Sequence, residues 1–204
     1  MTRHLPEAER RTQILRSARA IFVERGYRAA RVEDVARRAR LSKGAVYFYF
    51  KSKRELFDAL VTEEQDQMMQ FLEEASSDQR PATVRLLELG IKYLDYFAGR
   101  KSPPRFFLLM SEMAIRDDEL RASVAAVHQR FIDQAAALIR DGVSEGSFRD
   151  LDPVAVATML KAMVDGLAGQ SAIGIRPDKE RLSADGFQFI LLGLADPTHL
   201  LAQE

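Results

Sequence analysis

The chain contains no cysteine, which excludes disulfide staples, thiolate metal sites and cysteine nucleophiles. Histidine is nearly as scarce. His4, His128 and His199 stand far apart and none has the i, i+4 partner of an HExxH helix, so no metal site is expected. No stretch approaches the roughly 18 apolar residues of a membrane span. The opening MTRHLPEAERRTQIL lacks the apolar run of a signal peptide. A cytoplasmic location without membrane contact is therefore expected. A Walker glycine loop, a Rossmann fingerprint, a GxSxG elbow and a carboxylate pair with flanking chemistry are all missing, so the sequence predicts neither an enzyme nor a cofactor. Alternating strand patterns are missing too.

What remains is helical and unevenly charged. With 204 residues and 47% apolar content the chain can bury a proper core. Its formal net charge of zero hides a split: through Leu56 there are 15 Lys plus Arg against 6 Asp plus Glu, a net +9, and the rest carries 15 against 24, a net −9. Such a division favours a nucleic-acid face on the first part and an electronegative remainder that stays off DNA.

The basic part holds the most informative stretch, VEDVARRARLSKGAVYFY from Val32 to Tyr49. Val32, Val35, Ala36 and Ala39 recur at helical spacing and give a short helix one apolar face. Arg40 and Leu41 form a turn, and the Ser42 hydroxyl can cap a second helix. There Val46 and Phe50 point inward, leaving Lys43, Ala45, Tyr47, Tyr49 and Lys51 outside. Phenols and ammoniums both bond phosphate oxygens, aliphatic stems and ring edges suit base edges, and Gly44 lets a backbone come close. Alternatively, Tyr47, Phe48 and Tyr49 could cover an apolar surface.

The run from Ile14 to Leu60 resembles the DNA-binding domain of the TetR family of bacterial transcription regulators. The likeness is carried by Arg25-Gly26-Tyr27, Val32-Glu33-Asp34-Val35-Ala36, Leu41-Ser42-Lys43-Gly44, Val46-Tyr47-Phe48-Tyr49-Phe50 and Lys53-Arg54-Glu55-Leu56. The resemblance implies a helix-turn-helix on double-stranded DNA, with Lys43, Gly44, Ala45 and Tyr47 at base edges and Tyr49, Lys51 and Lys53 on phosphates. Two positions depart from the family pattern. Arg31 stands where a capping Thr or Ser is usual, and can reach a phosphate instead. Arg40 stands where the turn usually carries Gly, which predicts a strained or re-shaped turn.

Beyond the motif the periodicity predicts an all-α protein of about nine or ten helices, with a DNA-binding domain over residues 1–52 and an effector-binding and dimerisation domain over 53–204. A basic arm over residues 1–7 precedes a helix that Gly26 stops. Ser52-Lys53-Arg54-Glu55 matches a capping box opening a helix that reaches Glu74, long enough to serve both domains. Further boundaries fall at Ser76 to Pro81, Gly99 to Pro104, Asp117-Asp118, Gly142 to Pro153 and Gly174 to Pro177. Asp152-Pro153 is a cap followed by Pro at the first helical position. The helix from Glu119 to Val143 carries one large apolar stripe and a second, small-residue side, and that from Pro153 to Gln170 mixes small and large apolar residues; this predicts a four-helix homodimer interface built from the pair, the alternative being that both faces are internal core. A dimer doubles the few base pairs that one recognition helix reads.

Met68, Phe97, Phe107, Met110, Met113, Phe131, Met159 and Met163, with His128 and Asp165 as polar candidates, are the expected lining of an apolar ligand pocket. The predicted function is a regulator, in its simplest form a repressor, released from a palindromic operator by a small apolar molecule. The alternative is a DNA-binding protein controlled by a protein partner, which predicts an exposed apolar patch and no internal cavity.

Overall fold

The computed structural model describes residues 6–98, 104–175 and 178–194, and among them every regular element is helical. The elements are α1 (Glu7–Ala29), α2 (Val32–Arg38), α3 (Lys43–Tyr49), α4 (Lys53–Ser77), α5 (Ala82–Ala98), α6 (Pro104–Arg116), α7 (Asp118–Ser144), α8 (Pro153–Ala172), α9 (Lys179–Arg181), a π-helical turn (Leu182–Gly186) and α10 (Phe187–Leu194). The all-α expectation holds. Two compact units result, Met1–Asp66 and Gln67–Glu204, and the division falls inside α4. His4, His199 and residues 1–5 of the expected basic arm lie outside the described residues, as does most of the boundary expected from Gly99 to Pro104.

Helix starts follow the sequence signals. Ser42 Oγ accepts from Ala45 N at 3.0 Å, Asp117 Oδ1 from Leu120 N at 2.9 Å, and Asp152 Oδ1 from Val154 N and Ala155 N at 2.9 and 3.2 Å. Each satisfies donors that a helix start leaves unpaired. Ser52 Oγ likewise accepts from Glu55 N at 3.0 Å, but the Glu55 carboxylate reaches back to Lys51 N at 2.6 Å, one residue beyond the reciprocal bond of a capping box.

In the first unit α1 is interrupted at Gly26, whose φ of 72° and ψ of 162° belong to a region that only glycine occupies readily. Ile14, Leu15, Ala18, Ile21 and Phe22 of α1 are buried, as are Val32, Val35 and Ala36 of α2, Val46 of α3, Phe50 just after it, and Leu56, Phe57 and Leu60 of α4. Buried Asp34 receives Arg25 at 2.6 Å and Arg37 at 3.2 Å, and Glu64, 1% exposed, pairs with Arg19. A buried carboxylate stays charged only with such partners.

The turn between α2 and α3 keeps ordinary helix-ending geometry despite its arginine. Leu41 N donates to Ala36 O at 2.9 Å and Arg40 N to Arg37 O at 3.1 Å, the paired bonds of a Schellman motif. Arg40 takes the left-handed position itself, at φ 55°, so the turn is strained rather than re-shaped. Arg31 precedes α2 without any side-chain cap, as its chemistry requires.

In the second unit α5 packs on α7, α8 and α10, and α6 packs on α7 and α8. The Phe148 ring lies where a Cβ on Gly142 would stand, at 2.0 Å. From Phe131 to Ile139 both sides of α7 are buried within this unit. Earlier in α7, Ala122, Ala125 and Ala126 stay exposed, α8 exposes Val154, Met159 and Met163, and α10 exposes Phe189 and Leu192.

Two substitutions should shift stability in opposite directions. Arg40→Gly relieves the left-handed strain and is expected to add about 0.5–1 kcal/mol after the unfolded-state entropy of glycine is subtracted. Gly26→Ala, at a site where a Cβ would touch nothing within 4 Å, should remove about 1–3 kcal/mol through backbone strain alone. Urea unfolding of both variants is the check.

Candidate functional site

The exposed stripe of α3 consists of Lys43, Gly44, Tyr47 and Phe48, continued by Lys51 just past its end. These positions follow helical spacing opposite Val46 and Phe50, both 0% exposed. Ala45 and Tyr49 are half-buried at its margins, Ser42 caps the start, and Arg31 is exposed ahead of α2. Phe48 stands out, with 71% of its surface in solvent.

The basic side chains here differ in how they are held. Lys43 Nζ lies 2.5 Å from Glu33 Oε1 and 5.6 Å from the centre of the Tyr47 ring. Their shared hydrogen bond raises the pKa of Lys43 and lowers that of Glu33, so both are charged at neutral pH. Both are exposed, and a phosphate or base edge can compete for Lys43 at little cost. Lys51 Nζ donates to Phe48 O at 3.2 Å and Tyr47 O at 3.4 Å, placing a cation on the negative end of α3.

Lys53 is committed more deeply. Its Nζ donates to Tyr27 O at 2.9 Å, Ala30 O at 3.1 Å and Arg28 O at 3.2 Å, and sits 4.6 Å from the centre of the Tyr27 ring. An ammonium has three donors, and all three serve carbonyls freed where α1 breaks at Gly26. The structure thus gives this lysine a fastening role beside the phosphate contact expected from the sequence.

The second unit holds a partly open cavity of about 130 Å³, against the roughly 10–15 Å³ that holds one water on this measure. Its walls are Leu86, Leu87, Leu89, Gly90, Tyr93, Leu94 and Phe97 from α5, Phe131 and Ala135 from α7, and Leu160, Met163, Val164 and Leu167 from α8. Leu182 and Gly186 of the π-helical turn and Phe187, Ile190 and Leu191 of α10 complete it. A Cβ on Gly90 would stand 2.3 Å from the Phe187 ring, so glycine is what lets α10 close on α5.

The few polar groups beside this cavity are already satisfied. The Tyr93 hydroxyl donates to Met68 O of α4 at 2.8 Å, and burial, with a contribution from the charge of Asp165, pushes the phenol pKa up. Lys161, 6% exposed, pairs with Asp165 and holds its ammonium 5.3 Å from the centre of the Phe131 ring. The pair is electrically balanced.

Of the expected lining residues, the structure brings together Phe97, Phe131 and Met163. The others lie outside its walls. Met68 stands behind Tyr93 and offers it a carbonyl; Phe107 packs against Phe97 with centroids 6.2 Å apart. Met110 is buried and Met113 half-buried in α6 without lining the cavity, Met159 and His128 face solvent, and Asp165 is turned to Lys161. Sequence reasoning missed the leucines of α5 and the whole of α10, because a Met and Phe search passes over leucine. Gly90 and Gly186 are only intelligible once their neighbours are known.

Two family models match most of the chain. Residues 14–60 match the bacterial regulatory proteins of the tetR family, and residues 81–190 match the BetI-type transcriptional repressor, C-terminal. The chain belongs to the TetR family. Among its relatives, the uncharacterized HTH-type transcriptional regulator YfiR of Bacillus subtilis is 25% identical over 178 residues, 86% of this chain and 85% of that one. A transcriptional regulator from Saccharomonospora viridis solved with choline superposes with a TM-score of 0.79 at 23% identity, over 93% of this chain and all of its own. FadR of Bacillus subtilis, solved with stearoyl-CoA, superposes with a TM-score of 0.71 at 21% identity, over 89% and 98%.

If the role of Lys53 is to fasten α1, Lys53→Ala should lower unfolding free energy by about 1–3 kcal/mol and leave the salt dependence of DNA binding by the folded protein unchanged. Denaturation together with a salt titration decides the matter, since a lysine on phosphate would instead reduce the salt slope by about one at constant stability.

Proposed function

We propose that this TetR-family regulator is a homodimeric repressor that holds a palindromic operator through α3 and leaves it when an uncharged, largely apolar small molecule fills the cavity. The carrying observation is the cavity itself, partly open and walled almost wholly by apolar side chains of α5, α7, α8, the π-helical turn and α10. A protein-partner mechanism needs no such space. The chemistry of the walls also separates the two ligand types seen in its structural neighbours. A quaternary ammonium is held best by an aromatic cage beside an available negative charge; here Asp165 is neutralised by Lys161, whose ammonium already occupies the vicinity of Phe131. An aliphatic or aromatic chain, or the acyl part of a larger molecule, suits these walls better.

The apolar residues that α8 and α10 turn outward supply the dimer surface in this reading, and a two-fold dimer doubles the few base pairs that one α3 reads. Acting on the chromosome, such a repressor works in the cytoplasm. Release is a population shift: the ligand can lower operator affinity only by its preference for the non-binding form.

The test is operator selection from a random duplex pool, followed by titration with decanoate, an acyl-CoA, a neutral aromatic and choline. Loss of operator binding with an apolar compound and none with choline is expected; release by choline alone would overturn the ligand assignment. Ala135→Phe, which fills the cavity from α7, should keep operator affinity within about twofold while abolishing release.

A further inference from the structure

The remaining unexplained feature of the first unit is a large apolar side chain held in water beside a glycine with no internal reason to be one. Phe48 is 71% exposed, and its aromatic company is the edge of Tyr49, with centroids 5.2 Å apart, and the Lys51 ammonium 6.0 Å from its ring centre. Gly44 lies one turn earlier, at i−4, and so on the same face. A Cβ there would meet nothing closer than Ser42 Oγ at 3.9 Å, and its φ is not in the left-handed region. Neither packing nor backbone conformation demands glycine. Together the two positions form a notch, bare backbone on one side and a phenyl ring on the other, between Lys43 and Lys51.

Resting on the DNA-reading role proposed for α3, we propose that Gly44 and Phe48 form a receptor for the C5-methyl group of a thymine in each operator half-site. A phenyl ring offers phosphate no hydrogen bond and base edges no donor or acceptor. On the floor of the major groove the apolar group presented to a protein is the thymine methyl. The surrounding cations carry phosphate affinity regardless of sequence, so Phe48 contributes selectivity and little general affinity. The missing Cβ at Gly44 lets the helix backbone approach closely enough for the methyl to be covered on two sides.

The experiment uses the full chain and the operator that it selects. Each thymine of the selected duplex is replaced singly by deoxyuridine, which removes the methyl and leaves the hydrogen-bonding edges intact, and affinity is measured for the wild type, Phe48→Ala and Phe48→Leu. At one position per half-site the wild type should lose about fourfold, the value of one buried methyl-sized group. Phe48→Ala should bind both duplexes equally there, and Phe48→Leu should retain part of the preference. Equal deoxyuridine penalties in the wild type and Phe48→Ala, or no penalty at any thymine, overturn the methyl receptor alone. Failure of the pool to yield any enriched duplex overturns the DNA-reading role as well. Because Phe48 is exposed, its replacement leaves the core intact, and thermal unfolding of the variants verifies this.

Discussion

The fastening of the broken end of α1 by the Lys53 ammonium is the contact on which the first unit turns. Gly26 ends the regular run of α1 in a conformation that removes its last carbonyls from the helical ladder, and they need donors from elsewhere. One cation from the first turn of α4 collects three of them and the face of Tyr27 besides. Phe22, Tyr27 and Phe57 then close into a ring cluster with centroids 5.0 to 5.7 Å apart. With α1 and α4 clamped at this end, α2 packs on α1 and α3 on α2, and the exposed stripe of α3 acquires a fixed direction.

Much of this was legible in the sequence because local rules act there undisturbed. Ser42, Asp152 and Pro153 marked helix starts, Gly26 a break, and the spacing of Val32, Val35, Ala36 and Ala39 the buried side of α2. Arg40 is instructive: its departure from the usual glycine was visible, but whether the backbone or the residue would yield was not. The hydrogen bonds of the turn, satisfied only in one geometry, impose that geometry on the arginine. Lys53 was legible as a cation near DNA and illegible as a cap, since its three acceptors lie 23 to 26 positions away.

The cavity was legible in kind and mostly not in detail. Composition indicated an apolar pocket somewhere in the longer part of the chain, but Phe97, Phe131 and Met163 were the only expected residues to reach its walls. The direction of a side chain depends on which face of its helix the neighbours cover. That is decided by tertiary contacts such as Phe187 against Gly90 and Phe148 against Gly142, each joining residues with no local relation.

Tyr93 carries a consequence of another kind. Its ring is part of the cavity wall and its hydroxyl is bonded to the backbone of α4, the helix inside which the two compact units divide. In the proposed mechanism this makes the cavity answer to DNA as much as DNA to the cavity. Thermodynamic linkage is symmetric, so whatever factor the ligand takes from operator affinity, a bound operator must take from ligand affinity. Repressor molecules seated on operators would therefore be the least sensitive detectors in the cell. The far more numerous copies on non-specific DNA or in free solution would sample the ligand first, and the threshold for induction would rise with the amount of repressor the cell keeps in reserve.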